Sequence, residues 1–270
     1  MSPREVELRL SFVKWSRFRD YPYIAQIVMQ RPEVLNAFNT QMAVEMVEVC
    51  QEIVAQGDIR VVGLRSSNSK AFCTGADLKE RNHMSEEAWH DQHRIFEMMF
   101  YSFADLPMPT IAVIDGFCLA GGMELALNCD MWVVSENAEF GLPEVTRGIM
   151  PGGGATRLLS KRIGVHRAKE MVLTGQRYGA AAIAEMGLAN RVVSAERLES
   201  AFLEIAGPIA ENAPLSVSYS KSAIDELFTI PDNIGRVREI AWYNKVINTE
   251  DRHEGVRSFN ERRKPQFKGK

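Results

Sequence analysis

The sequence has 270 residues, of which 46% are hydrophobic and 25% are charged. That length is ample to bury a core, in one large domain or two modest ones. The formal net charge of -3 excludes a global attraction to nucleic acid or anionic membranes, so a polyanionic ligand must be held by local positive charge. No apolar stretch approaches the ~20 residues of a membrane-spanning helix.

The cysteines and the N-terminus predict a cellular compartment. Four cysteines lie far apart in sequence and lack the spacing of a Cys/His metal site; they are Cys50, Cys73, Cys118 and Cys129. The opening "MSPREVELRL" alternates charges where a signal peptide requires an apolar run. We therefore expect reduced core cysteines in a soluble, cytoplasmic protein with no membrane partner.

The first part of the chain alternates between two periodicities. "YIAQIVMQRP" and "IRVVGLRSS" have the β-branched density of strands, and the segment between them has helical spacing at Met42, Met46, Val49 and Ile53. The alternation recurs at "TIAVIDG", "MELALNCD", "MWVVSE", "AAAIAEMG" and "ANRVVS". This order predicts an α/β domain over residues 1–196, with helices packed on a mostly parallel sheet.

After about Glu196 the strand patterns stop. "ERLESAFLEIAGPIAENAP" places Leu198, Phe202, Ile205 and Ile209 on one helical face. Further helices are predicted from Leu215 and from about Asp232. Residues 197–270 are therefore predicted to form an all-helical region.

Two segments combine a strand end, a glycine and a helix start. In "KAFCTGADLKE" a helix is expected to begin around Asp77, which would free the Ala76 amide to bind a developing negative charge. In "FCLAGGMELALNCD" the same geometry would free the Gly121 amide, close to the carboxylate of Glu124. Alternatives are an Asp-capped helix, a tight turn, and a Glu124 that only pairs within its helix, although a buried carboxylate is costly unless something uses it.

A third segment, "EFGLPEVTRGIMPGGGATRLL", places Glu144 in an otherwise apolar loop. It lacks the Gly-Lys-Ser/Thr of a Walker motif, and no GxGxxG follows a strand. We expect its glycines to form a turn before a helix near Ala155. The alternative for Glu144 is a salt-bridge partner.

The tail "SFNERRKPQFKGK" is basic, and three interpretations remain open: a solvated tail, an RNA contact, or contacts to cofactor phosphates. His90 and His93 have helical spacing, but no nearby Cys or second His pair completes a metal site, so no metal is expected.

Together these segments resemble the crotonase superfamily, the enoyl-CoA hydratases and isomerases. The similarity extends in the family's order from "RPEVLNAFN" to "EGVRSFNERRKPQF". "GADLKERNHMS" is most similar to the methylglutaconyl-CoA hydratase branch, some members of which bind AU-rich RNA. The resemblance implies a crotonase-like spiral of ββα units with a C-terminal helical region for self-association, as a trimer or a dimer of trimers.

The resemblance also assigns roles. It implies an oxyanion hole at Ala76 and Gly121 and catalytic glutamates at Glu124 and Glu144. Hydratases of the family keep both glutamates, whereas isomerases commonly keep only the second. The implied activity is hydration of a trans-2-enoyl-CoA thioester, with Glu124 acting on water and Glu144 delivering a proton. The alternatives are an isomerase and a hydratase homologue with an RNA-binding role.

Coenzyme A is implied as part of the substrate, with no separate cofactor. The resemblance places its adenine end against Lys70, Ala71 and Phe72. It implies that the pantetheine path is lined by Ala76, Asp77, Leu78 and Lys79. Phe259 and Arg262 match tail positions that contact coenzyme A in the family, often from a neighbouring subunit. Two residues depart from the usual pattern: Ala120 stands where a third glycine is common, and Arg147 where an uncharged residue is common. Nucleic acid is not an expected partner.

Overall fold

The computed structural model describes residues 10–270, and these form strands, α-helices and three short 3₁₀ turns. The strands are β1 (Val13–Phe18), β2 (Tyr21–Met29), β3 (Val61–Ser66), β4 (Ala71–Cys73), β5 (Thr110–Ile114), β6 (Phe117–Leu119), β7 (Met131–Ser135), β8 (Glu139–Gly141), β9 (Arg177–Gly179) and β10 (Arg191–Val193). The helices are α1 (Thr40–Gln56), α2 (Leu78–Arg81), α3 (Glu86–Ala104), α4 (Gly121–Leu127), α5 (Ala155–Ile163), α6 (Val165–Thr174), α7 (Ala180–Glu185), α8 (Leu198–Glu211), α9 (Pro214–Leu227), α10 (Asp232–Ile247) and α11 (Glu250–Asn260).

The described strands form two sheets, and the chain alternates between them. The larger sheet has the order β1-β2-β3-β5-β7-β10 and is parallel except for β1. The smaller sheet has the order β4-β6-β8-β9, in which β4, β6 and β8 are parallel. Each of the pairs β3–β4, β5–β6 and β7–β8 gives one strand to each sheet before a helical segment follows. This repeat is the spiral of ββα units that the family resemblance implied.

The principal core lies between the sheets and helices α1, α3 and α4. It contains Met42, Met46, Val49 and Ile53 of α1, as their helical spacing predicted. A second apolar cluster forms where α8 covers the outer face of the larger sheet, with Phe202 fully enclosed. A side chain in place of Gly63 would lie 2.9 Å from the Phe202 ring, so β3 needs glycine for this contact.

The C-terminal region is helical, as predicted. The helices expected from Leu215 and Asp232 are α9 and α10, and a separate last helix, α11, follows the Thr249 N-cap. The exposed side of α9 and α10 carries large apolar side chains that are more than half exposed: Ile224, Phe228, Val237, Ile240 and Tyr243.

The basic tail folds back along α11. The Asp251 carboxylate accepts hydrogen bonds from the backbone N–H groups of Lys268 and Gly269, at 2.7 and 2.8 Å. Arg263 pairs with Glu254 and with Glu261, both at 2.6 Å. Part of the tail's positive charge is therefore neutralised within the chain, which weakens the RNA-contact interpretation.

The four cysteines are free and buried. Among the helices that the structure describes, none is long and apolar enough to cross a membrane.

Candidate active site

The candidate site lies where three neighbouring strands of the smaller sheet end. Because β4, β6 and β8 are parallel and adjacent, the residues that follow them meet at one edge of the sheet. Ala76 follows β4, Gly121 follows β6, and Glu144 follows β8. Residues that are far apart in sequence are therefore brought together by the repeat of the fold.

A cavity of about 670 Å³ opens at this edge. It is lined by all four residues predicted for catalysis, Ala76, Gly121, Glu124 and Glu144. Much of the remaining wall is aromatic or apolar, formed by Phe38, Leu78, Trp89, Phe96, Phe100, Ile149 and Met150. A concave, mostly apolar wall with a few polar groups is typical of a small-molecule site.

The Ala76 amide is held in a short bridge between two chain segments. Phe38 N–H donates to the carbonyl of Gly75 at 2.8 Å, and Asp77 N–H donates to the carbonyl of Phe38 at 2.9 Å. The Asp77 carboxylate accepts from Lys79 N–H at 3.0 Å, as a helix cap, and pairs with Arg31 at 3.1 Å. Within residues 10–270 the Ala76 N–H has no protein acceptor.

The Gly121 amide is the first of α4, where a helix leaves N–H groups without intrahelical partners. It has no acceptor among the described residues. The approach of α4 requires two glycines: a Cβ at Gly121 would lie 2.6 Å from Phe38 Cζ, and a Cβ at Gly122 would lie 2.1 Å from the Cys73 carbonyl oxygen. Ala120 before them has φ 50° and ψ −131°, a conformation that favours glycine.

Glu124 lies on α4 with 4% of its surface exposed. Its Oε1 accepts hydrogen bonds from the backbone N–H groups of Gly153 and Ala155, at 2.7 and 3.0 Å. Burial raises the pKa of Glu124, and the hydrogen bonds from Ala155 and Gly153 oppose that rise. The carboxylate thus caps α5, a helix other than its own, and these bonds fix its orientation in the cavity.

Glu144 lies in the 3₁₀ turn Pro143–Arg147 and is 6% exposed. Neither of its buried carboxylate oxygens has a hydrogen-bond partner within residues 10–270. Burial, and to a smaller extent the charge of Glu124, raise the pKa of Glu144 to about 7. Such a group exchanges its proton near neutral pH. Its carboxylate forms no salt bridge with the described residues, which removes that alternative.

Asn128, which the sequence patterns did not single out, joins α4 to the loop that holds Glu124. The buried Nδ2 donates to the carbonyls of Glu124 and of Gly153, both at 2.8 Å. No sequence signal marks it, because the contact depends on how two distant segments meet.

Two further polar residues of the wall were also missed. The Arg81 guanidinium stacks 4.1 Å from the centre of the Trp89 ring, and its Nε donates to Gln92 at 2.7 Å. His93 lines the cavity and contacts Glu97 at 3.2 Å. The helical spacing of Trp89, His93 and Phe96 on α3 could have indicated a common face.

The residues predicted to contact coenzyme A divide into two groups. Leu78, like Ala76 and Gly121, lines the cavity. The others lie in or next to β4 and α2 but outside the lining of the cavity: Lys70, Ala71, Phe72, Asp77 and Lys79. The Phe72 side chain is buried and its carbonyl accepts from Asn36 Nδ2 at 3.0 Å.

Phe259 and Arg262 lie at the end of α11, and Phe259 is 83% exposed. Neither lines the cavity of its own chain. Their predicted role from a neighbouring subunit stays a prediction. Among residues 10–270, no three His, Cys, Asp or Glu side chains are grouped so that they could hold a metal ion.

Comparisons with known proteins agree with this geometry. The profile of the enoyl-CoA hydratase/isomerase family matches residues 20–270. A probable mitochondrial enoyl-CoA hydratase 2 of Arabidopsis thaliana is 39% identical over 246 residues, covering 91% of this chain and 82% of that protein. A short-chain-enoyl-CoA hydratase of Clostridium acetobutylicum is 34% identical over 241 residues, covering 89% and 92%. The crystal structure of an enoyl-CoA hydratase from Bacillus anthracis superposes with a TM-score of 0.93 at 37% identity, covering 96% of this chain and 100% of that one.

Proposed function

The chain belongs to the enoyl-CoA hydratase/isomerase family, and on that premise we propose that it adds water across the 2,3 double bond of a trans-2-enoyl-CoA thioester. The observation that carries the proposal is the pair of buried glutamates in one cavity with two backbone amides that have no protein acceptor among the described residues. An isomerase needs one such carboxyl group to move a proton. A hydratase benefits from two, because it handles a water molecule and a carbon-bound proton.

The two carboxyl groups differ in a way that suits a division of labour. Backbone N–H donors favour the ionised form of Glu124, so this group serves as the base that orients and deprotonates water. Neither carboxylate oxygen of Glu144 has a hydrogen-bond partner in the described chain, and its pKa is about 7, so a large fraction of molecules carry a proton on Glu144 at neutral pH that can pass to the α carbon. The charge on Glu124 helps to keep that proton on Glu144.

The reaction balances within this set of groups. The water oxygen bonds to the β carbon as one water proton passes to Glu124, and the electron pair of the double bond shifts toward the thioester oxygen. The Glu144 proton then bonds to the α carbon, and the electron pair returns from the oxygen. The catalyst is left with its proton on Glu124, so a proton passes from Glu124 to Glu144, directly or through solvent, before the next cycle.

The amides of Ala76 and Gly121 would stabilise the enolate oxygen. Each fixed donor contributes about 3 kcal/mol to transition-state stabilisation in comparable oxyanion holes. The Arg31–Asp77 pair and the Phe38 bridge hold the Ala76 segment in place. Coenzyme A would enter as part of the substrate, past Leu78, and no further cofactor is required.

Self-association is the second part of the proposal. The exposed apolar side of α9 and α10 supplies a surface that a neighbouring subunit would cover. A trimer, or a dimer of trimers, would also bring Phe259 and Arg262 of one subunit toward the cofactor of another.

The test is a panel of trans-2-enoyl-CoA thioesters, followed by loss of the conjugated absorbance in buffer containing ¹⁸O-labelled water. Hydration is expected, with the label in the β-hydroxyl group of the product. Glu136→Gln is the control for replacing a glutamate outside the site, because Glu136 is exposed and does not line the cavity. This variant should retain full activity. Loss of conjugation without incorporation of ¹⁸O would instead indicate isomerisation.

A further inference from the structure

The loop that holds Glu124 is itself held by one side chain. Asn128 is 6% exposed, and its Nδ2 donates to the Glu124 carbonyl on α4 and to the Gly153 carbonyl in the loop. The same loop returns two N–H groups, those of Gly153 and Ala155, to Oε1 of Glu124. The backbone and the side chain of Glu124 are thus tied to one loop through a closed set of hydrogen bonds.

The position of this loop depends on its contacts with the neighbouring helices. The loop has little conformational stiffness of its own, since Gly152, Gly153 and Gly154 follow one another in it. Gly153 is packed so closely on α3 that a Cβ there would lie 2.4 Å from the Phe100 ring. Without the bond from Asn128, the loop would keep that contact, but its own N–H donors to Oε1 of Glu124 would be its remaining hydrogen bonds to α4 within residues 10–270.

We propose that Asn128 is a positioning residue for hydration: by tying Gly153 to α4, it keeps the two loop N–H donors on Oε1 of Glu124 and so fixes the carboxylate plane that orients water. The role rests on the proposed hydratase function. Asn128 does not line the cavity and would act on the reaction only through Glu124.

The proposed role of Asn128 predicts a change in how kcat depends on pH. Donors on Oε1 favour the ionised carboxylate, so their loss would raise the pKa of Glu124 and move the acidic limb of the kcat profile to higher pH. The apparent pKa of that limb belongs to the coupled pair of Glu124 and Glu144 and not to Glu124 alone. The other charged or titratable groups around Glu124 stay unchanged in the variants: Cys73 and Cys118 behind α4, Arg81, His93 and Arg147 across the cavity, and Arg157 on α5.

The experiment compares kcat, KM and the pH profile of Asn128→Ala and Asn128→Leu with those of the wild type. Both variants remove the amide donor without adding a charge, and the second keeps a branched side chain of similar size. We expect kcat at neutral pH to fall about 10- to 100-fold, as for a displaced catalytic group. KM should change little, the acidic limb should move to higher pH, and amide hydrogen exchange of residues 152–156 should become faster.

A second variant tests the link without touching Asn128. Ala155→Pro removes one donor to Glu124 at the first residue of α5, where the helix itself does not use the N–H, and places a ring carbon where the donor hydrogen stood. It should move the acidic limb in the same direction. Val49→Ala, a core substitution outside the cavity, is the control for lost stability and should leave the limb in place.

The outcomes separate the two proposals. If the wild type hydrates enoyl-CoA but Asn128→Ala and Ala155→Pro both keep its acidic limb, the role of Asn128 is wrong and the hydratase function stands. The role of Asn128 is also wrong if the acidic limb of Val49→Ala moves as far as the limbs of Asn128→Ala and Ala155→Pro. A wild-type chain that hydrates no enoyl-CoA would overturn both proposals.

Discussion

Replacing Glu144 by Gln should change how the stability of the protein depends on pH. Glu144 is 6% exposed, neither of its buried oxygens has a hydrogen-bond partner in the described chain, and its pKa is raised to about 7. In an unfolded chain a glutamate titrates at about 4.3. Folding therefore favours the protonated form, and stability from this group is present below about pH 4.3 and lost as the pH rises to about 7.

The size of the effect follows from the shift. Each pKa unit corresponds to about 1.4 kcal/mol, so ionising Glu144 should cost the folded state about 3 to 4 kcal/mol between pH 4 and pH 8. Glu144→Gln lacks this titration. Its buried amide adds a cost, but that cost does not depend on pH, so the difference between variant and wild type isolates the carboxyl group.

The assay is urea unfolding at a fixed protein concentration across pH 4 to 8, because association also affects apparent stability. The free energy of unfolding of Glu144→Gln, relative to wild type, should rise by about 3 kcal/mol over that range. Glu136→Gln, at an exposed position, should show no such rise. A constant difference between Glu144→Gln and wild type from pH 4 to 8 would refute the assignment of a raised pKa to Glu144.

Three further variants test other parts of the structure. Ala120→Gly should raise the free energy of unfolding by about 1 kcal/mol and the Tm by about 2 °C in a thermal scan, because it relieves a positive φ; an unchanged or lower Tm would contradict this. Arg31→Ala should cost about 3 kcal/mol in urea unfolding, because it leaves the mostly buried Asp77 unpaired; the exposed Arg94→Ala, its control, should cost under about 0.5 kcal/mol. Val237→Asp with Ile240→Asp, on the exposed side of α10, should give monomers by light scattering with an unchanged circular dichroism spectrum, and a mass equal to wild type would refute the proposed subunit surface.

The order of strands and helices could be predicted from the sequence because each element has its own periodicity. The spacing of Met42, Met46 and Val49 predicted α1, and the β-branched runs predicted the parallel strands of the larger sheet. The division into two sheets was available only from the resemblance. The short strands β4, β6 and β8 have three residues each, which is too few for alternation to show.

The candidate site was predictable where a backbone feature leaves a mark in sequence. Glycines and a helix start indicated Ala76 and Gly121, and Glu144 stood out as a lone glutamate in a mostly apolar loop. Asn128 and Arg81 left no such mark, because their contacts join segments whose proximity depends on the folded chain. The cytoplasmic location and the boundary between residues 196 and 197 stay predictions, although α8 does begin at Leu198.

The central claim, that two glutamates divide the work of hydration, is tested most directly by Glu124→Gln. The measurement follows hydration and the exchange of the substrate's carbon-bound protons with deuterated solvent in the same sample. We predict that hydration falls by orders of magnitude while exchange through Glu144 persists, because the amide of Gln cannot take a proton from water. Hydration at the wild-type rate would contradict the role of Glu124, and an equal loss of both activities would contradict the division of roles.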